Sequence, residues 1–348
     1  MKKINNKTFE YSNIFKKYES IIFLKLSILI IICFILFGFY FFNNLSNLFY
    51  NEKIKSKYFS LNHKTFEENF EYHNYERDLI TDKIKKYAGY QPNRNESYFL
   101  NGIIRKFKPK RCLEIGVAKG GSSIIILNAI KDSNNSFLIS LDISPNYKLS
   151  SNSKLKTGFL VYKYFPELIS NKWKMFTGRQ PHIYLSQLKI KFDFLFLDTV
   201  HLAPGEYINF IEVLPFLEEN AIIVLHDVMF HLPSFGYYNP KSIKFHPSNI
   251  YLFSSIVGNK IIIPNENNSI ENIGAVILDR NQENNFLNYF LLLLSPWDYL
   301  PNKSYINELR IFIKKYYIKD VYLFLFNKSY EENELYVKKH QSFFNHLS

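Results

Sequence analysis

Cysteine is nearly missing from this chain of 348 residues: there are two, Cys33 and Cys112. Neither belongs to a C-x-x-C pair, which excludes a disulfide framework and a cysteine-ligated zinc site. Glycine is also scarce, at twelve residues. No G-x-G-x-x-G occurs, so the dinucleotide fingerprint is missing and a nicotinamide dehydrogenase is disfavoured. No internal repeat is visible, which removes solenoids and propellers. Apolar residues are not lacking: at 47% they can fill a complete core, which excludes wholesale disorder. The 18% aromatic content goes with abundant Lys, Asn and Ile and reads as compositional bias rather than function.

The net charge of +12 is unevenly spread. Residues 1–64 carry ten lysines and three glutamates, more than half of it. These charges flank one apolar run, a pattern that suits a membrane surface and not nucleic acid. The run, Ile21–Phe42, has 22 residues and one charge, Lys25, near its start. A helix of that length reaches about 33 Å, against about 30 Å of bilayer hydrocarbon. Lys25 can snorkel to the headgroups. The run ends in "GFYFFNNLSN", without the small-residue pattern of a cleavage site, so the expectation is an uncleaved, single-pass transmembrane helix. Five lysines precede it and four follow, so charge alone does not orient it.

The chain divides into a basic flank (1–20), the transmembrane helix (21–42), a helical stalk or cap (43–95), a main domain (96–282) and a helical C-terminal extension (283–348). Within the main domain strands and helices alternate. "RCLEIG", "SFLISLDI", "KWKMFTG", "FDFLFLD" and "AIIVLHD" read as strands, and "GGSSIIILNAIK", "PHIYLSQLK" and "PGEYINFIEVLPFLEEN" as the helices between them. "KIIIP" and "GAVILD" complete the set. The expected fold is α/β: a Rossmann-like, doubly wound, mostly parallel seven-stranded sheet.

A quarter of the glycines fall in "RCLEIGVAKGGSS". A strand, a glycine turn and a helix N-terminus form a ligand-binding unit, because glycine permits close approach and positive φ while the helix offers free N–H groups. Gly116, Gly120 and Gly121 fit that unit, and Ser122 and Ser123 suit capping of the helix. Glu114, two residues before the first glycine, would repel a pyrophosphate and suits a cationic ligand. The second strand ends at Asp142, whose carboxylate can accept hydrogen bonds from ribose hydroxyls. A ligand with a ribose and an ammonium-bearing end is S-adenosylmethionine.

On these residues, and on "KFDFLFLDTVHLAPGEYINFIEVLPFLEENAIIVLHD", the stretch from about 96 to 280 resembles class I S-adenosylmethionine-dependent methyltransferases. The nearest likeness is to the O-methyltransferase branch that includes catechol and macrolide-sugar O-methyltransferases. The resemblance implies that Glu114, Gly116 and Gly120 hold the methionine end of the cofactor, and Ala118, Gly121 and Ser122 of the same stretch join them as candidate cofactor-binding residues. It implies Asp142 at the ribose, Ile143 at the adenine, and Gly178 and Gln180 on the adenine-side loop. Ala118 stands where glycine is commoner.

Methylating a hydroxyl requires removing its proton and holding its oxygen, tasks for a neutral histidine and a divalent cation. Asp198 ends the fourth strand and His201 follows three residues later; His226 and Asp227 end the fifth. By the resemblance, Asp198 and Asp227 ligate magnesium and His201 is the general base. The residue before the second acid is acidic in those enzymes and is His226 here. Imidazole also suits manganese, iron or zinc, so His226 joins the candidate metal ligands beside Asp198 and Asp227. Asp198 also suits capping of the next turn, and His226 a satisfied core position. His231 and His246 fall in an aromatic loop that reads as an acceptor pocket or lid.

The expectation is therefore a membrane-anchored methyltransferase with its catalytic domain in the cytosol and its N-terminus outward. It would carry out O-methylation of a small-molecule or glycan hydroxyl, such as a sugar of a surface glycan or its precursor, assisted by magnesium or manganese. Two alternatives are a metal-dependent hydroxylase on the same scaffold and an inactive cofactor-binding scaffold in a glycan-assembly complex. The oligomeric state is not legible.

Overall fold

The computed structural model describes residues 94–150, 153–229, 248–264 and 270–339. The expected flank, the transmembrane helix Ile21–Phe42, most of the stalk, and His231 and His246 lie outside the described residues. Among the described residues no helix is long and apolar enough to cross a membrane.

Helix α1 (Arg94–Phe107) leads into β1 (Arg111–Ile115), α2 (Gly121–Ile130) and β2 (Phe137–Asp142). A hairpin follows, β3 (Asn146–Ser150) with β4 (Ser153–Lys156), then α3 (Phe159–Tyr164), β5 (Trp173–Thr177) and α4 (Pro181–Leu188). Next come β6 (Phe192–Leu197), α5 (Gly205–Val213) and β7 (Leu217–His226). The chain continues through α6 (Ser248–Ser255), β8 (Gly258–Pro264), β9 (Ile270–Leu278), α7 (Phe286–Leu292), α8 (Lys303–Tyr316) and α9 (Asp320–Lys339).

Seven strands form one sheet in the order β5-β2-β1-β6-β7-β9-β8. β9 runs antiparallel to β7 and β8, and the other pairings are parallel. Alternation along the strands feeds two separate layers. Leu113, Ile139 and Leu195 face a core built with α4, α5 and the C-terminal helices. Cys112, Leu138 and Phe194 face a second core built with α1, α2 and α3. From β1 the chain crosses to β2 on one side, while β6 pairs on the other, so a crevice opens above the carboxyl ends of β1 and β6.

Two details depart from expectation. Residues 217–220, read as the end of a helix, are the start of β7. α5 stops at Val213, and Pro215 in the next turn has no N–H with which to continue it. Ser122 and Ser123 do not cap α2: the residue at its N-cap is Gly120 with φ +94°, and both hydroxyls turn elsewhere.

Candidate active site

The glycine turn is shaped by close packing. Gly116 has φ +88°, and a Cβ there would lie 1.7 Å from the carbonyl oxygen of Asp198, so the turn after β1 presses on the end of β6. The Gly116 amide donates to the Leu141 carbonyl and the Asp198 amide to the Ile115 carbonyl, which locks the three strand ends together. Ala118 has φ +47°, a conformation that costs an alanine on the order of 1–2 kcal/mol.

Glu114 is fully buried behind this turn. Its carboxylate accepts from the hydroxyls of Ser122 (2.6 Å), Ser123 (2.6 Å) and Ser140 (2.5 Å). Burial pushes its pKa up to about 7 against the pull of the three hydroxyls, and the charge of Asp198 adds to the rise. Asp142 holds the turn from the other side: Oδ2 accepts from the amides of Val117 (2.9 Å) and Ala118 (3.1 Å), and Oδ1 from that of Ser144 (2.8 Å).

A cavity of about 570 Å³ lies over these strand ends. It brings together Gly116, Ala118, Gly121, Ser122, Asp142, Ile143, Gln180, Asp198 and His201, nine of the residues singled out in the sequence. Glu114, Gly120, Gly178, His226 and Asp227 do not line it. The exposed apolar side chains of Ile143 and Val200 both face it.

Asp198, His201 and Asp227 converge beside the cavity. One ligand atom from each can be chosen so that all three lie within 4.8 Å of one another, a donor set suited to a divalent cation. His201 Nδ1 is 3.1 Å from Asp227 Oδ2, and its Nε2 is 3.8 Å from Asp198 Oδ1. His201 and Asp227 both adopt left-handed backbone conformations, φ +61° and +56°. His226 sits behind the two acids: Nδ1 is 3.2 Å from Asp227 and 3.6 Å from Asp198, and Nε2 is 3.3 Å from Glu96. Burial disfavours its charge, but Asp198, Asp227 and Glu96 together hold its pKa well above the usual histidine range. Asp227 also accepts from Asn272 Nδ2 at 2.5 Å.

Residues 113–228 match a family model described as a methyltransferase domain. Over that third of the chain the sequence is similar to methyltransferase domains. The resemblance to class I S-adenosylmethionine-dependent methyltransferases is thereby borne out. No curated protein matches the chain. Among solved structures it is similar to the O-methyltransferase TomG of Streptomyces achromogenes, at 14% identity over 58% of this chain and 88% of that one, TM-score 0.42. It is similar to an O-methyltransferase of Bacillus cereus, at 15% identity over 62% and 90%, TM-score 0.41. A methyltransferase of Podospora anserina gives 17% identity over 66% and 94%, TM-score 0.38.

Two contributions to the candidate site are not legible in the sequence. Glu206, fully buried in the first turn of α5, accepts from the His201 amide (2.5 Å), the Thr199 hydroxyl (2.9 Å) and the Ser248 hydroxyl (2.5 Å). An acid at that position reads simply as a complement to the helix dipole, which hides its role. The second contribution comes from the C-terminal region, where Tyr299, Leu300, Pro301, Asn302 and Tyr305 line the same cavity as the glycine turn. The Asp298 amide ties this segment to the Ala203 carbonyl, and Asn333 of α9 holds the Trp297 amide. Only the tertiary packing shows it, since no motif marks residues 299–305.

Proposed function

We propose that this domain transfers a methyl group from S-adenosylmethionine to a hydroxyl, with His201 as general base. The juxtaposition of His201 with the glycine turn and Asp142 in one cavity carries this reading. The cavity fits such a cofactor: its volume lies in the range of small-molecule sites, about 300–1,000 Å³, and it offers a carboxylate at the second strand end and apolar faces at Ile143 and Val200. S-adenosylmethionine supplies an electrophilic methyl group on sulfur. The chain's residues do the rest. Asp227 beside Nδ1 favours the tautomer protonated there, which leaves Nε2 as the proton acceptor. Glu206 fixes the His201 backbone. His201 Nε2 would take the acceptor hydroxyl's proton while the methyl group passed from sulfur to that oxygen.

Asp198 and Asp227, with His201 as the third donor within reach, are suited to hold magnesium or manganese, which would lower the pKa of a hydroxyl. An imidazole bound to the cation could not at the same moment take the proton, so the base role of His201 assigns cation binding chiefly to the two acids. The run Ile21–Phe42 supports membrane anchoring, and the cytosolic supply of the cofactor supports a cytosolic catalytic domain. A glycan or small-molecule hydroxyl is the acceptor this reading favours.

The test is calorimetric titration of the full chain with S-adenosylhomocysteine, with and without Mg²⁺ or Mn²⁺. Micromolar binding that is lost in Asp142→Ala is the expected outcome. A folded protein that does not bind, or methyl transfer only to nitrogen or carboxylate acceptors, would refute the proposal.

A further inference from the structure

At the corner between α8 and α9 four apolar side chains face water. Ile311 is 71% exposed, Ile318 93%, Val321 42% and Phe324 64%. They are not spare core. The same two helices bury Phe312, Ile313, Tyr322 and Phe326 against the domain, and the turn between them buries Tyr317, so the exposed set is the opposite side. All four lie within two turns of the corner, about 10 Å along either helix axis. Isolated exposed apolar residues are ordinary, but four within one short stretch around a helix–helix corner mark a contact surface.

Lys314, Lys315 and Lys319 stand exposed among them. None of the three forms an ion pair with a carboxylate among the described residues. This combination discriminates between partners. A protein surface that buried the apolar tip would have to desolvate or pair three lysines. A bilayer with anionic headgroups accepts the apolar tip at the headgroup–acyl boundary, about 5–10 Å deep, and leaves the ammonium groups wet among the phosphates.

We infer that the α8–α9 corner docks on the surface of an anionic lipid bilayer. This inference stands apart from both the methyl-transfer reading and the apolar run Ile21–Phe42, because it rests on the corner alone. It also gives the C-terminal region a double role: α8 begins at the cavity wall, beside Asn302, and ends at the docking corner about 21 Å away.

The experiment is hydrogen–deuterium exchange on the full chain with vesicles of phosphatidylcholine alone or mixed with phosphatidylglycerol. Amides of 311–324 should slow on the mixed vesicles and not on the neutral ones. Each lysine near the surface adds about a fivefold preference. The triple reversal Lys314→Glu, Lys315→Glu, Lys319→Glu should therefore weaken vesicle-dependent protection about a hundredfold or more. Ile318→Ser with Phe324→Ser should remove the protection as well. Binding of S-adenosylhomocysteine should be equal in all variants, which shows that they are folded and separates this outcome from failure of the methyl-transfer reading. The inference is overturned by exchange that ignores vesicles, by protection confined to residues 21–42, or by protection that follows protein concentration without lipid, the signature of a second copy.

Discussion

His201 is held where few non-glycine residues go, in the left-handed region, and a buried carboxylate is what keeps it there. Glu206 receives the His201 amide and two hydroxyls, so both of its oxygens are committed. Glu206→Gln keeps the shape but turns one acceptor into a donor facing donors. Losing a hydrogen bond to a charged acceptor costs about 1.5–3 kcal/mol. Because the loss falls on the proposed base His201 and not on the proposed cofactor contacts, kcat should drop roughly tenfold or more while S-adenosylhomocysteine affinity hardly moves. Parallel loss of both would mean that Glu206 supports the whole cavity and not His201. Glu114 gives a second residue-scale test. Its folded pKa is raised from 4.5 to about 7, so the folded state holds a proton that the unfolded state has released. The stabilisation is fully present below about pH 4.5 and is lost as pH rises through about 7. A shift of that size corresponds to roughly 3 kcal/mol of pH-dependent stability as an upper figure. Urea midpoints should fall between pH 5 and 7.5 in the native protein, and the slope should flatten in Glu114→Gln.

Among the elements, the strand–turn–helix at β1 and α2 has the least tolerance. Gly116 combines positive φ with a backbone oxygen where a Cβ would sit, whereas Gly178 has φ +92° with nothing within 4 Å of its would-be Cβ. Gly178→Ala should therefore cost only left-handed strain, about 1–2 kcal/mol. Gly116→Ala must in addition push β1 from β6, and should lower stability by more than ~2 kcal/mol and abolish cofactor binding. Equal denaturation midpoints for the two variants would show that the packing against Asp198 carries no weight. These elements were also the most legible in the sequence, because β1, β2 and β6 are apolar on both faces as covered parallel strands must be. The hairpin β3–β4 was not, since its strands have only five and four residues, with Tyr147, Leu149 and Leu155 as their apolar residues, too short a run to show a period. Glu218, Glu219 and Asn220 likewise masked the start of β7 as helix. In the site, strand ends and the three-residue spacing exposed Asp198 and His201. The wall at Tyr299–Tyr305 and the clamp of Glu206 depend on tertiary contacts that no local pattern encodes.

For the molecule as a whole, the matched segment 113–228 is not a self-sufficient body. Tyr289, Phe290, Trp297, Leu309, Phe312 and Phe326, all from the C-terminal region, belong to the same continuous core as Leu113, Phe192 and Phe210 of the sheet and α5. Tyr317 fastens the two parts, donating its hydroxyl to the Ile211 carbonyl at 2.6 Å. Uncovering such side chains costs roughly 1.5–3 kcal/mol each. Six of them already match or exceed the total stability of an ordinary domain, about 5–15 kcal/mol. Truncation after residue 282 should thus do more than open the cavity by removing Tyr299–Tyr305. It should leave a chain with near-native far-ultraviolet dichroism at best, no cooperative thermal transition and no binding of S-adenosylhomocysteine. A truncated chain that melts cooperatively would show that the α7–α9 layer is an attachment, and if it also bound the cofactor analogue, the C-terminal wall would have no part in recognition. Loss of the cooperative transition would instead establish that the sheet and the C-terminal helices fold as one unit, so that the same packing that stabilises the molecule also closes its ligand cavity.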